Sequence, residues 1–384
     1  MLKNRLVYLG TLVLLGIFVL IHESPLTYML LYAVLLLPAL SFGALLLSMG
    51  KLTLTETLAS DTTTKLEPVT YTLHVHNKGS IPCAYVTVQF EATLGVDITL
   101  QDDYFDVPAG GSYEAYAVLT GNYWGTYPVG VKHMRVYDFL GLFSLKQPHT
   151  RRQQLHVSPL VRPILPLAVK SLSKSDHAQY LFNPDEDYSN VSDIQPYKPS
   201  DGYKKIHWKA SAKKNQLMSK QFGTNTQDYV DVLLDTTLME LPEYPTHEQQ
   251  LQQLIKQDLL IEACVSVLSQ VSKHSFIVNF AIPALETPAQ GTFAHLYEMV
   301  DHVRFDQLGF ERYLTDYHAQ LAVNKNLVII VQRLTPELIK AIRELAFAKH
   351  HVMAIYSEPS DTATALSLAN SHQHISCYNY AELV

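Results

Sequence analysis

A chain of 384 residues with a net charge of −7 is too long for one average domain and lacks the overall basic excess that draws a protein to nucleic acid. Its three cysteines, Cys83, Cys264 and Cys377, stand far apart. That spacing points away from a structural zinc cluster or a disulfide framework and suits a reducing compartment. Nearly all the surplus apolar content lies in the first fifty residues.

Within residues 1–50, Leu6 to Ile21 carries no charge, and a second apolar stretch runs from Leu26 to about Met49. Both predict transmembrane helices, packed as a hairpin in a lipid bilayer. The first is short, about 24 Å at 1.5 Å per residue against a hydrocarbon core of about 30 Å. Pro38 in the second is tolerated inside a membrane. Lys3 and Arg5 would suit a signal peptide, but His22-Glu23-Ser24-Pro25 lacks a small-x-small cleavage pattern and a full span follows at once. Lys3, Arg5 and Lys51 share one side, while the connection has no Lys or Arg. The positive-inside rule then predicts a two-span cell-membrane protein with both termini in the cytoplasm.

From residue 51 to about 166 the period changes to two. Tyr71 to Asn77 alternates and stops at Lys78-Gly79, Tyr85 to Phe90 is a second strand, and Pro108-Ala109-Gly110-Gly111 punctuates the segments that follow. Short strands at this spacing predict an immunoglobulin-like β-sandwich. His74 and His76 fall on one face of a strand, but no third ligand is near, so they read as polar strand positions.

Residues 167–228 form a connecting segment whose most distinctive part is 197–220. Pro199 and Gly202 bracket a turn, and Asp201 is a candidate N-cap for a short helix holding Ile206, Trp208 and Ala210. Lysines crowd this stretch, among them Lys204, Lys205, Lys209 and Lys213, with Trp208 as an apolar anchor against the neighbouring domain.

Residues 229–384 alternate strand and helix. The predicted strands are Tyr229 to Leu234, Phe276 to Ile282, Asn326 to Val331, His351 to Tyr356 and about His374 to Tyr378. A long helix bears Leu251, Leu254, Ile255, Leu259, Val265 and Leu268 near one face. Further helices run across Phe293 to Gln320, Pro336 to Lys349 and Thr362 to Ala369. This pattern predicts an α/β, Rossmann-like, doubly wound parallel sheet. Ligand positions in such sheets lie beyond the strands' carboxyl ends. Here those are Asp235-Thr236-Thr237, Pro283-Ala284, Gln332-Arg333 and Ser357-Glu358. No glycine-rich phosphate loop follows any strand, so a nucleotide is not expected.

Tyr197, Pro199, Asp201, Ile206, Trp208, Ser211 and Ala212 resemble the signature of the bacterial family known as domain of unknown function 58, with lysines where that family prefers arginine. Gly125-Thr126-Tyr127 and Asp138-Phe139-Leu140-Gly141-Leu142-Phe143 resemble two further elements of the same family. Together with the paired spans, the resemblance covers essentially the whole chain. It implies a von Willebrand factor type A-like fold for the last domain and a MoxR-type AAA+ ATPase as protein partner. The partner-binding residues it marks are Tyr197, Pro199, Asp201, Lys204, Lys205, Ile206, Trp208, Lys209, Ser211 and Lys213.

Type A folds often hold Mg²⁺ on a loop after the first strand. Asp235 and Thr237 are the residues of this chain that such a loop would use. Met239 offers a soft thioether, and Gln332 and Arg333 stand where another carboxylate belongs, so no cofactor is expected and Asp235 reads as a turn residue. The alternative is metal-dependent ligand binding at Asp235. No nucleophile elbow or H-E-x-x-H pattern occurs, so no enzyme is expected. Nucleic acid stacked on Trp208 and Tyr203 is disfavoured by the acidic balance and the membrane tether. The sequence therefore predicts a membrane-anchored interaction protein.

Overall fold

The computed structural model describes residues 2–22, 24–91, 93–164, 186–197, 206–224, 229–238, 241–273, 277–321, 325–358 and 362–383. The chain divides into two compact units, one of Met1–Leu160 with Glu240–Ile261, the other of Val161–Met239 with Glu262–Val384. This differs from the division expected at residues 166 and 228. Residues 240–261, assigned by their periodicity to the α/β domain, group with the strands instead.

The first unit begins with two helices long and apolar enough to cross a membrane, α1 (Leu2–Ile21) and α2 (Pro25–Met49). α1 starts four residues earlier than its charge-free stretch and so reaches about 30 Å. Pro25 opens α2, where its missing N–H costs nothing. Most of both helices is exposed, but Ser41, Leu45 and Ser48 form a buried i, i+4, i+7 stripe near the end of α2.

The strands that follow are β1 (Leu52–Leu58), β2 (Thr62–Thr64), β3 (Pro68–Asn77), β4 (Cys83–Phe90), β5 (Val96–Leu100), β6 (Phe105–Val107), β7 (Ser112–Gly121), β8 (Gly125–Val129), β9 (Val131–Tyr137), β10 (Ser144–Pro148) and β11 (Gln153–Ser158). Two antiparallel sheets, ordered β1-β3-β7-β5 and β10-β9-β4-β6, pack into a sandwich, and a third small sheet runs β2-β11-β8. Alternation fixes the inner faces. Val69, Tyr71, Leu73 and Val75 of β3 meet Val86, Met134 and Val136 of the opposite sheet, all buried. Full burial of such side chains is worth about 1.5–3 kcal/mol each. His74 lies outward, 3.2 Å from Glu114 on β7, which accounts for its strand position without a metal.

One carboxylate lies inside this core. Glu56 accepts from the Tyr71 hydroxyl and from Val131 N–H at 3.3 Å, with His149 Nε2 at 2.9 Å from its other oxygen. The two bonds to one oxygen and the His149 contact at the other offset part of the cost of burying this carboxylate.

In the second unit, β12 (Glu186–Pro196) pairs antiparallel with β13 (Met218–Thr224), with α3 (Trp208–Lys214) between them in sequence. The sequence pattern predicts no strands there. Next come β14 (Tyr229–Leu234), α4 (His247–Lys273), β15 (Ile277–Ala281), β16 (Ala289–Gln290), α5 (Phe293–Asp301), α6 (Phe310–Gln320), β17 (Asn326–Val331), α7 (Pro336–Phe347), β18 (His351–Tyr356), α8 (Thr362–Ser371), β19 (Ile375–Asn379) and α9 (Tyr380–Leu383). α4 gives its residues as far as Ile261 to the first unit and the rest to the second. The six-stranded sheet is ordered β16-β15-β14-β17-β18-β19, parallel except for β16 at the edge. Leu233, Ile329 and Ala354 bury one face against α6, α7 and α8, and Val232, Ile330 and Ile355 are buried on the other. That two-sided burial explains why these strands read as unbroken apolar runs.

Candidate functional site

In the parallel sheet the chain leaves β14 toward β15 and later returns to β17 on its other side. The switch in direction falls between β14 and β17, where open α/β sheets form their crevices. Asp235, directly after β14, accepts a hydrogen bond from Thr237 N–H at 2.9 Å and donates its own N–H to Ile330 O. The Thr237 hydroxyl donates to Leu308 O at 3.2 Å, while Thr236 is fully buried with no partner for its hydroxyl. Thr335, after β17, donates to Glu311 Oε1 at 3.0 Å and caps α7 by accepting from Leu338 N–H.

Burial raises the Asp235 carboxyl above the ordinary aspartate value, its bonds to Thr237 pull the other way, and nearby Glu311 adds to the rise. Asp235 and Thr237 are turned into a closed Asx-type turn. Asp235 Oδ1 and the Thr237 hydroxyl, two oxygens expected of a type A Mg²⁺ loop, each take part in a hydrogen bond within the protein. Among the described residues, no group of three or more His, Cys, Asp or Glu is arranged to hold a metal.

The basic segment is described from Ile206 onward and at Tyr197. Pro199, Asp201, Lys204 and Lys205 lie outside the described residues. The described helix α3 begins at Trp208 and takes His207 as its N-cap, whose Nδ1 accepts from Ala210 N–H at 3.0 Å. It ends at Asn215 in the left-handed conformation. Ile206 bridges to Ser219 and is buried. Ser211 is buried too, donating to His207 O at 3.0 Å and accepting from Met218 N–H at 2.8 Å. Tyr197 is half-buried, with its N–H on Leu217 O at 2.8 Å.

Trp208 is not the expected anchor. It is 68% exposed, and Lys209, Lys213 and Lys214 beside it are exposed as well. The reason is the helix's length, since two turns bury one position, Ser211, and the bridge at Ile206 supplies the apolar contact in place of Trp208. The structure thus brings Tyr197, Ile206 and Ser211 together as a scaffold and presents Trp208, Lys209 and Lys213 to solvent.

The two upstream motif elements lie in the first unit. Trp124 N–H donates to Asp258 Oδ1 of α4 at 2.7 Å, and Lys65 Nζ reaches the other oxygen at 2.5 Å. Tyr127 donates to the carbonyls of Tyr123 and Trp124. Asp138, buried, accepts from Phe143 N–H at 2.7 Å and from the Ser41 hydroxyl of α2. Gly141 in that turn has φ +68°, a left-handed conformation that glycine adopts without strain, and it lies directly against the Asn4 amide. Sequence reasoning missed Asn4, Arg5 and Ser41 because their partners lie more than ninety residues away.

No known protein family matches the chain by sequence, and no curated protein does. Among solved structures, the chain is similar to a FixG-related protein from Vibrio parahaemolyticus (12% identity, covering 28% of this chain and 96% of that one, TM-score 0.21). It is similar to the cupredoxin domain of amoB from Nitrosocaldus yellowstonii (11%, 29% and 89%, TM-score 0.21). A third is the GAE domain of yeast GGA1 (12%, 27% and 90%, TM-score 0.21). At such TM-scores these likenesses carry no argument about function.

Proposed function

We propose that this chain is a membrane-anchored interaction protein that binds a partner protein without catalysis, through the surface centred on Trp208. The hairpin α1–α2 is read as its anchor in a cell membrane, with both termini in the cytoplasm, and the α/β unit is read as von Willebrand factor type A-like. Its antiparallel edge strand and the strand order described above support that reading. The partner to which the resemblance with domain of unknown function 58 points is a MoxR-type AAA+ ATPase.

The observation that carries the proposal is Trp208 itself, 68% exposed on a helix secured by buried Ile206 and Ser211. A tryptophan is a frequent interface hot spot because a large area leaves water at little conformational cost. Exposed Lys209 and Lys213 favour an acidic surface on the partner.

The test measures affinity between the full-length, detergent-solubilised chain and a purified MoxR-type ATPase. Trp208→Ala is expected to weaken binding by roughly 30-fold, about 2 kcal/mol, with no change in melting temperature. Lys209→Glu with Lys213→Glu is expected to weaken it further at low salt than at high salt. Equal affinity for all three forms sinks the proposal.

A further inference from the structure

The end of the sandwich that meets the helical hairpin carries a ring of aromatic side chains whose role the partner-docking reading leaves open. Tyr137 ends β9, immediately before the Asp138–Phe143 turn. Tyr85 on β4 lies opposite it in register, and Tyr104 stands beside it with ring centroids 6.4 Å apart. Tyr85 is 51% exposed, Tyr104 61%, and Phe139 at the tip of the turn 54%. Exposed aromatics of this size are individually ordinary, but here they gather around one turn.

The contacts of that turn fix its level along the helices. Asn4 Nδ2 donates to Leu140 O at 3.2 Å, and Arg5 Nε donates to Leu142 O at 2.9 Å. Ser41 bonds Asp138, Phe42 packs edge-on against Phe143 with centroids 5.2 Å apart, and Leu45 enters the sandwich core. Only roughly 24 Å of helix separates Pro25 from Ser41 at about 1.5 Å per residue, less than a hydrocarbon core of about 30 Å. A span that starts at Pro25 therefore reaches Ser41 before it leaves the bilayer. The turn bonded to Ser41 is drawn to the same depth.

The next row of the same sheet face is cationic. Arg135 on β9 faces Thr87 on β4 and Lys146 on β10 in register, one pleat repeat beyond Tyr137, Tyr85 and Ser144. At about 3.3 Å per residue the backbone of this row sits roughly 7 Å further from the turn, with Arg135 Nη1 donating to the Tyr137 hydroxyl at 3.5 Å. An aromatic row followed by a cationic row is the arrangement that suits the acyl boundary and then the phosphates of a membrane interface.

We propose that Tyr85, Tyr104, Tyr137 and Phe139 form a collar seated in the interfacial layer of the bilayer, with Arg135 and Lys146 reaching anionic phospholipid headgroups. This rests on the membrane-anchored reading. The hairpin then holds the sandwich at a set depth, and the buried Asp138 keeps the turn shaped for it.

The test is photocrosslinking of the full-length chain in vesicles of zwitterionic and anionic phospholipid, with p-benzoylphenylalanine placed singly at Leu14, Tyr85, Phe139 or Tyr244. Leu14 lies within a proposed span, and Tyr244 is 85% exposed in a loop remote in sequence from the collar. Phospholipid adducts at positions 14, 85 and 139, with none at 244, are the expected result. Adducts at 14 but at neither 85 nor 139 overturn the collar and leave the anchor standing. No adduct at 14 overturns the anchor itself and the collar with it.

Discussion

At Trp208 and Asp235 residue type and residue environment part company. A tryptophan among lysines reads as an anchor, yet Trp208 is exposed because the two-turn helix beneath it turns Ser211 inward. Asp235 was legible as a turn residue, and its Oδ1 does receive Thr237 N–H. Burial raises its carboxyl in the fold. The folded protein then holds that proton to higher pH than the unfolded chain, so this group's favourable contribution is present at low pH and lost as pH rises through the folded value. Asp235→Asn keeps the acceptor for Thr237 and removes the buried charge. It is expected to melt no lower than the wild type at pH 7, with the difference narrowing at pH 5. Asp235→Ala loses the turn bond and is expected to cost about 1 kcal/mol. Thermal unfolding of the full-length chain in detergent at the two pH values checks both variants, and a lower melting temperature for Asn at pH 7 would mean that the anion itself is in use.

At the scale of elements, strand and helix positions were largely legible, because the period of the apolar residues is a local property. The strands around Tyr71 and Tyr85 and each strand of the parallel sheet lie within a few residues of their expected bounds. The pairing of β12 with β13 was not legible, since neither alternates over a stretch bounded by turn residues. Nor was the division of α4, whose apolar face reads as one stripe. Its earlier part belongs with the sandwich, where Leu254 would meet a Cβ at Gly95 at 2.9 Å and Asp258 is buried against Lys65. Asp258→Ala takes the carboxylate away from a Lys65 side chain that is only 9% exposed, and the expected loss is about 3 kcal/mol. Asp258→Ala combined with Lys65→Met is expected to recover part of it. A double-mutant cycle on melting temperature reads the coupling, and additive losses would show that the pair contributes nothing beyond its two members.

For the whole molecule the decisive feature is the pair of helices long and apolar enough to cross a membrane. Lys3, Arg5 and Lys51 flank the hairpin on one side, and no other described helix is long and apolar enough to span. The expected topology has everything beyond Lys51 inside the cell. Protease added to intact cells should leave residues after 51 uncut, whereas the same protease on inside-out vesicles should remove them. Cleavage from outside reverses the topology and withdraws the cytoplasmic partner with it.

The two apolar helices, the change to an alternating period at residue 51 and the strand–helix repeat after 229 are legible without any coordinates. Each of these is written in the spacing of neighbouring side chains. Tertiary contacts alone bring Asp138 to Ser41, set Asp258 against Lys65 in the sandwich unit and leave Trp208 facing water. Those outcomes depend on which distant groups meet and how much solvent is left between them, and no local period encodes either.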